Sequence, residues 1–82
     1  MEFFWRRGGS ARIVTTDGDS VTLLSSLSAP PGTPLEADFD GLAYRVKVRA
    51  CRRTDEVPEL PFRIEGRFQN LSRTQRERLL AG

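Results

Sequence analysis

The chain has 82 residues, 38% hydrophobic and 29% charged, with a net charge of +2, no histidine and one cysteine. A chain this short makes one domain with a small core and little room for an enclosed active site. The single Cys51 excludes an internal disulfide, and the absence of histidine removes the commonest general base and metal ligand.

The first ten residues read as an arm, and 11–82 as the folded domain. Phe3-Phe4-Trp5 is followed by Arg6-Arg7 and by the flexible Gly8-Gly9-Ser10. The apolar run is too short for a signal peptide, which needs about 7–15 residues. It is also too short for a membrane helix, which needs about 20. A cytoplasmic protein that does not insert in membranes is therefore expected.

Ala11–Thr16 is β-branched and suits a strand. Asp17-Gly18 signals a tight hairpin turn, and Asp19–Ser25 is the return strand, with Val21 and Leu23 on one face. Ser28-Ala29-Pro30-Pro31-Gly32 is a loop, because prolines cannot continue a ladder. Alternation resumes over Thr33–Phe39, with Leu35, Ala37 and Phe39 inward. Asp40-Gly41 is a second hairpin signal.

From Leu42 the pattern is strictly period two. Leu42, Tyr44, Val46, Val48 and Ala50 form the apolar face; Arg45, Lys47, Arg49 and Cys51 lie opposite. A polar stretch reaches Pro61, and Phe62–Gln69 alternates again as the last strand. Ser72 with Gln75 three residues on makes a capping box for a short helix over Arg73–Ala81, with Leu71, Leu79 and Leu80 toward the sheet. The sum is a mostly β domain, a small antiparallel barrel of five to six strands with a C-terminal helix.

The run Phe62-Arg63-Ile64-Glu65-Gly66-Arg67-Phe68-Gln69-Asn70-Leu71-Ser72, followed by Arg76-Glu77-Arg78-Leu79-Leu80, resembles the end of a PilZ domain. Pro31-Gly32-Thr33-Pro34-Leu35 is similar to that family's turn into its middle strands, and Tyr44–Ala50 to its central strand; the likeness covers roughly residues 20–81. The resemblance implies a small bacterial β-barrel with no catalytic role. Many members bind cyclic diguanylate through an RxxxR arm motif and a (D/N)xSxxG motif. Here both are incomplete. Ser10 and Ala11 stand four residues after Arg6 and Arg7, Arg12 stands five after Arg7, and no DxSxxG follows Asp17. The resemblance thus implies a degenerate PilZ-like adaptor of signalling, pilus or motility systems that works through protein–protein contact and needs no cofactor.

Two surfaces are candidates for that contact. One is the arm, Phe3, Phe4 and Trp5, because aromatic and arginine side chains dominate binding hot spots. The other is the basic strand face of Arg45, Lys47 and Arg49. Arg6, Arg7 and Arg12 are the residues that would hold cyclic diguanylate in a rearranged site, the alternative reading. A nucleic-acid-binding barrel is the second alternative, disfavoured by the small net charge and the lack of aromatics among the strand arginines. A homodimer through the apolar arm is compatible with all three. No catalytic residue and no metal site is expected: Cys51 has no imidazole partner, and the carboxylates sit mainly at turns.

Overall fold

The computed structural model describes residues 2–81. Six strands and one helix follow in chain order: β1 (Glu2–Trp5), β2 (Ser10–Thr16), β3 (Ser20–Ser25), β4 (Pro34–Phe39), β5 (Leu42–Arg53), β6 (Phe62–Phe68) and α1 (Arg73–Ala81). The strands close into an antiparallel barrel in the order β1-β2-β3-β6-β5-β4, so the expected fold class is the one found.

The core follows from the alternation. Phe3, Leu23, Leu35, Tyr44, Val46, Val48 and Ile64 point inward and are fully buried. Phe3 stacks on Tyr44 with ring centroids 5.3 Å apart and meets Phe39 at 5.3 Å and Phe68 at 6.0 Å. At Gly66 on β6 the barrel wall leaves no room for a side chain: a Cβ there would stand 2.6 Å from the Lys47 carbonyl oxygen and 2.8 Å from Val46 Cγ1.

The N-terminal residues depart from expectation. Glu2–Trp5 is not an arm but the strand that closes the barrel, pairing with β2 on one side and β4 on the other. Phe3 is 0% exposed and Trp5 3%, while Phe4, between them, is 59% exposed. The physical reason is that a three-aromatic run cannot be stowed on one face of a strand, so alternate rings go in and the middle one stays out. The glycines that looked like a flexible tether form the β1–β2 turn, where Gly8 and Gly9 have φ of +99° and +104°. Gly8 N–H donates to the Trp5 carbonyl and Trp5 N–H to the Gly9 carbonyl, both at 3.0 Å.

Two bulges break the period-two pattern. In β2, Val14 and Thr15 together oppose Thr22. In β5, Arg49 and Ala50 together oppose Glu65, and the alternation flips beyond them. Ala50 is therefore exposed, while Cys51 is half-buried and packs against the core, the reverse of an unbroken alternation. The Asp40-Gly41 turn has positive φ at both residues, 54° and 78°, as a two-residue type I′ hairpin requires. The β2–β3 reversal instead turns at Gly18-Asp19, with Asp17 N–H bonded to the Ser20 carbonyl at 3.3 Å.

Helix α1 starts at the expected box, with Gln75 N–H donating to Ser72 Oγ at 3.1 Å and Ser72 N–H to Gln75 Oε1 at 2.9 Å. Leu79 is its buried residue, Leu71 before it is half-buried, and Leu80 faces solvent instead of the sheet. Polar ties hold the rest of the helix: Arg76 to Asp19 at 2.8 Å, Arg78 to Asp40, and the Gln75 amide to the Ala43 carbonyl.

Candidate basic face on strands β5 and β6

Burial of Tyr44, Val46 and Val48 turns the alternate residues Arg45, Lys47 and Arg49 of β5 outward together. Antiparallel pairing then sets β6 beside them. Lys47 lies directly opposite Arg67, and beyond the bulge Arg52 lies opposite Arg63. Like charges placed directly opposite on one sheet face repel and destabilise the pair. The bulge keeps Arg49 exposed and adds Ala50 to the same side.

Five basic residues have ion pairs among the described residues: Arg6, Arg63, Arg73, Arg76 and Arg78. None of Arg45, Lys47, Arg49 and Arg67 is among them. Neutralisation by neighbouring-strand carboxylates fails for a specific reason. Glu36 is opposite Arg45 in the ladder, but its carboxylate accepts from Arg6 at 3.0 Å, and Arg6 also reaches Asp38 at 3.3 Å. The bond to Asp38, with the charge of both carboxylates, raises the Arg6 pKa further above its ordinary value.

Lys47, Arg49, Arg67, Phe68 and Gln69 line an open groove of about 450 Å³. A smaller groove adjoins it along Ser20, Thr22, Arg49 and Glu65. Farther along the pair of strands, Arg63 bonds Glu56 at 3.1 Å while its Nε is buried without a partner, and the next pair, Arg53 and Phe62, is out of phase with it, Arg53 sitting over the Phe62 ring at 5.4 Å.

The candidate ligand arginines are not brought together. Arg6 turns toward β4, on one side of β1, while Arg12 stands on β2, on the other side, opposite Glu2. Arg7 is exposed in the β1–β2 turn. Of the aromatic candidates, Phe3 and Trp5 are core residues, and Trp5 Nε1 donates to Ser25 Oγ at 2.9 Å, so only Phe4 can meet a partner. Arg45, Lys47 and Arg49 are exposed on one face, as the alternation predicts.

Arg67 and Gln69 were not apparent as site residues. Arg67 does alternate with the inward Ile64, Gly66 and Phe68, but only the β5–β6 register shows that it faces Lys47.

Among the described residues no group of three or more His, Cys, Asp or Glu could hold a metal ion, and no helix is long and apolar enough to cross a membrane. Compared with known proteins, the chain matches no family model, no curated protein and no solved structure.

Proposed function

We propose that the chain is a non-catalytic, PilZ-like adaptor that binds an acidic segment of a partner protein across the basic face of β5 and β6. One observation carries the reading: Lys47 opposes Arg67 and neither has an ion pair among the described residues, so the face holds like charges in register. An anionic partner relieves this repulsion, and a field of one sign speeds and orients encounter. Successive outward residues of a strand stand about 6.6 Å apart, which matches alternate side chains of an extended acidic segment.

Along Leu42–Lys47 the strand β5 is paired with β4 on one side and reached by β6 on the other, so at Arg45 and Lys47 the partner is met through side chains and not by strand addition. A single-stranded nucleic acid would use exposed aromatic platforms beside the cations. Here Phe62 is covered by Arg53, and the exposed Phe4 lies on β1.

The test is calorimetric titration with a capped hexaglutamate peptide, with cyclic diguanylate and a uridine oligonucleotide as comparisons. The peptide is expected to bind, several-fold more weakly at 0.5 M than at 0.05 M salt, and to lose binding in Lys47→Glu/Arg67→Glu. Binding of cyclic diguanylate abolished by Arg6→Ala/Arg7→Ala, with no response to the peptide, would replace this reading by a nucleotide receptor.

A further inference from the structure

Three cations converge on the groove between β5 and β6, and their number says more than their sign. Lys47 and Arg67 are directly opposed, which places their Cβ atoms about 5 Å apart. Arg49 joins them from the bulge, and the Gln69 amide and Phe68 complete the lining, which includes no carboxylate. A partner carboxylate brings one charge and two acceptor oxygens. A phosphomonoester brings about −1.5 to −2 at neutral pH and three strong acceptor oxygens. It offers the lysine and the two arginine forks that line the groove more charge and more acceptors than a carboxylate does. The volume, about 450 Å³, lies within the range of small-ligand sites and admits both the phosphoryl group and the side chain that carries it.

We infer that this groove is a recognition site for a phosphorylated side chain, a phosphoserine or phosphothreonine, on the partner protein. The inference rests on the adaptor reading above and names the group that reading leaves open. Binding then depends on modification of the partner: an unmodified segment meets only the outer cations, and a phosphorylated one fills the groove.

The absence of histidine supplies a clean readout. The charged groups around the groove are Lys47 and Arg49 from β5, Arg67 and Glu65 from β6, and Asp17 from the β2–β3 turn, whose carboxylate feels Arg67. Carboxylates ordinarily titrate below pH 5, and lysine and arginine above pH 10. A phosphomonoester loses its second proton near pH 6. Between pH 5 and 7 the phosphopeptide gains charge, and the glutamate peptide controls for any titration of the protein itself.

The experiment titrates the full chain, observed by amide NMR, with three probes. These are a capped five-residue alanine peptide with central phosphoserine, the same peptide with central glutamate, and inorganic phosphate. The phosphopeptide is expected to shift residues 47–49 and 67–69 and to bind about tenfold or more tightly than the glutamate peptide. It should bind several-fold more tightly at pH 7 than at pH 5, with the glutamate peptide unchanged. Lys47→Gln and Arg67→Gln should each weaken it at least several-fold while leaving the amide spectrum that of a folded barrel.

Equal affinity for the two peptides overturns this inference and leaves the acidic-partner reading standing. No shift in the groove with either peptide overturns both. Inorganic phosphate binding as tightly as the phosphopeptide overturns the assignment to a partner's side chain.

Discussion

Ser25 is fully buried, and among the described residues it organises more of the barrel than its size suggests. Its Oγ accepts from Trp5 Nε1 at 2.9 Å and from Leu27 N–H at 3.0 Å, and donates to the Leu27 carbonyl at 2.9 Å. The hydroxyl thus ties β1 to the loop after β3, and its single donor and two acceptor sites are all used. Ser25→Ala leaves the buried indole N–H without an acceptor. Stranding a buried donor costs about 1–3 kcal/mol, so the melting temperature should fall by roughly 10 °C. A fall of less than about 2 °C would show that the indole finds another partner. None of this was legible in the sequence, where Ser25 reads as the polar end of a strand: hydrogen bonds across 20 residues leave no local pattern.

At the scale of elements, β2 to β6 and α1 were legible because each carries its own signal: a β-branched run, period-two alternation, a turn residue with positive φ, or a capping box. The phase of β5 beyond Arg49 was not. A bulge is defined by two residues opposing one on a neighbouring strand, so Cys51 goes inward for a reason located in β6. The β2–β3 hairpin was legible as a turn, and the structure adds what Asp17 does there. Its carboxylate accepts from Asp19 N–H at 2.9 Å and Ser20 N–H at 2.8 Å. These two bonds hold its pKa below the ordinary value, with a smaller contribution from the charge of Arg67. A carboxyl whose folded pKa is depressed contributes stability above its unfolded pKa, near 3.9, and that contribution is lost as pH falls through the lower folded value. Asp17→Asn keeps an oxygen acceptor and removes the charge. The variant should melt below the parent at pH 7, and the gap should close as pH falls from 5 to 2. A gap independent of pH would mean that the charge plays no part and the turn geometry all of it.

At the scale of the whole molecule, what mattered most was the closure, and it was the least visible. Aromatic, basic and glycine residues in succession fit a partner-binding arm equally well by composition. What decides for a strand is pairing on both sides: β1 lies against its sequence neighbour β2 and also against β4, more than 30 residues away. That choice also takes Phe3 and Trp5 off the surface and leaves Phe4 as the one exposed ring of the three. The two readings of residues 2–5 differ sharply in outcome. If they were an arm, deletion would leave a folded barrel with weaker partner binding. As a strand, they carry two buried rings, and emptying the space of a buried Phe or Trp costs about 3–5 kcal/mol each even when the backbone stays. Small domains have about 5–15 kcal/mol in all, and one of this size lies toward the low end. Deletion also bares the β2 and β4 edges, which then template pairing between chains. The chain lacking residues 1–5 should therefore show no cooperative melting transition and should aggregate at micromolar concentration. Phe4→Ser should leave the melting temperature within about 3 °C of the parent, because that ring is 59% exposed. A truncated chain that stayed monomeric and melted cooperatively would return the aromatic segment to the role of an arm and would reopen it as a partner surface.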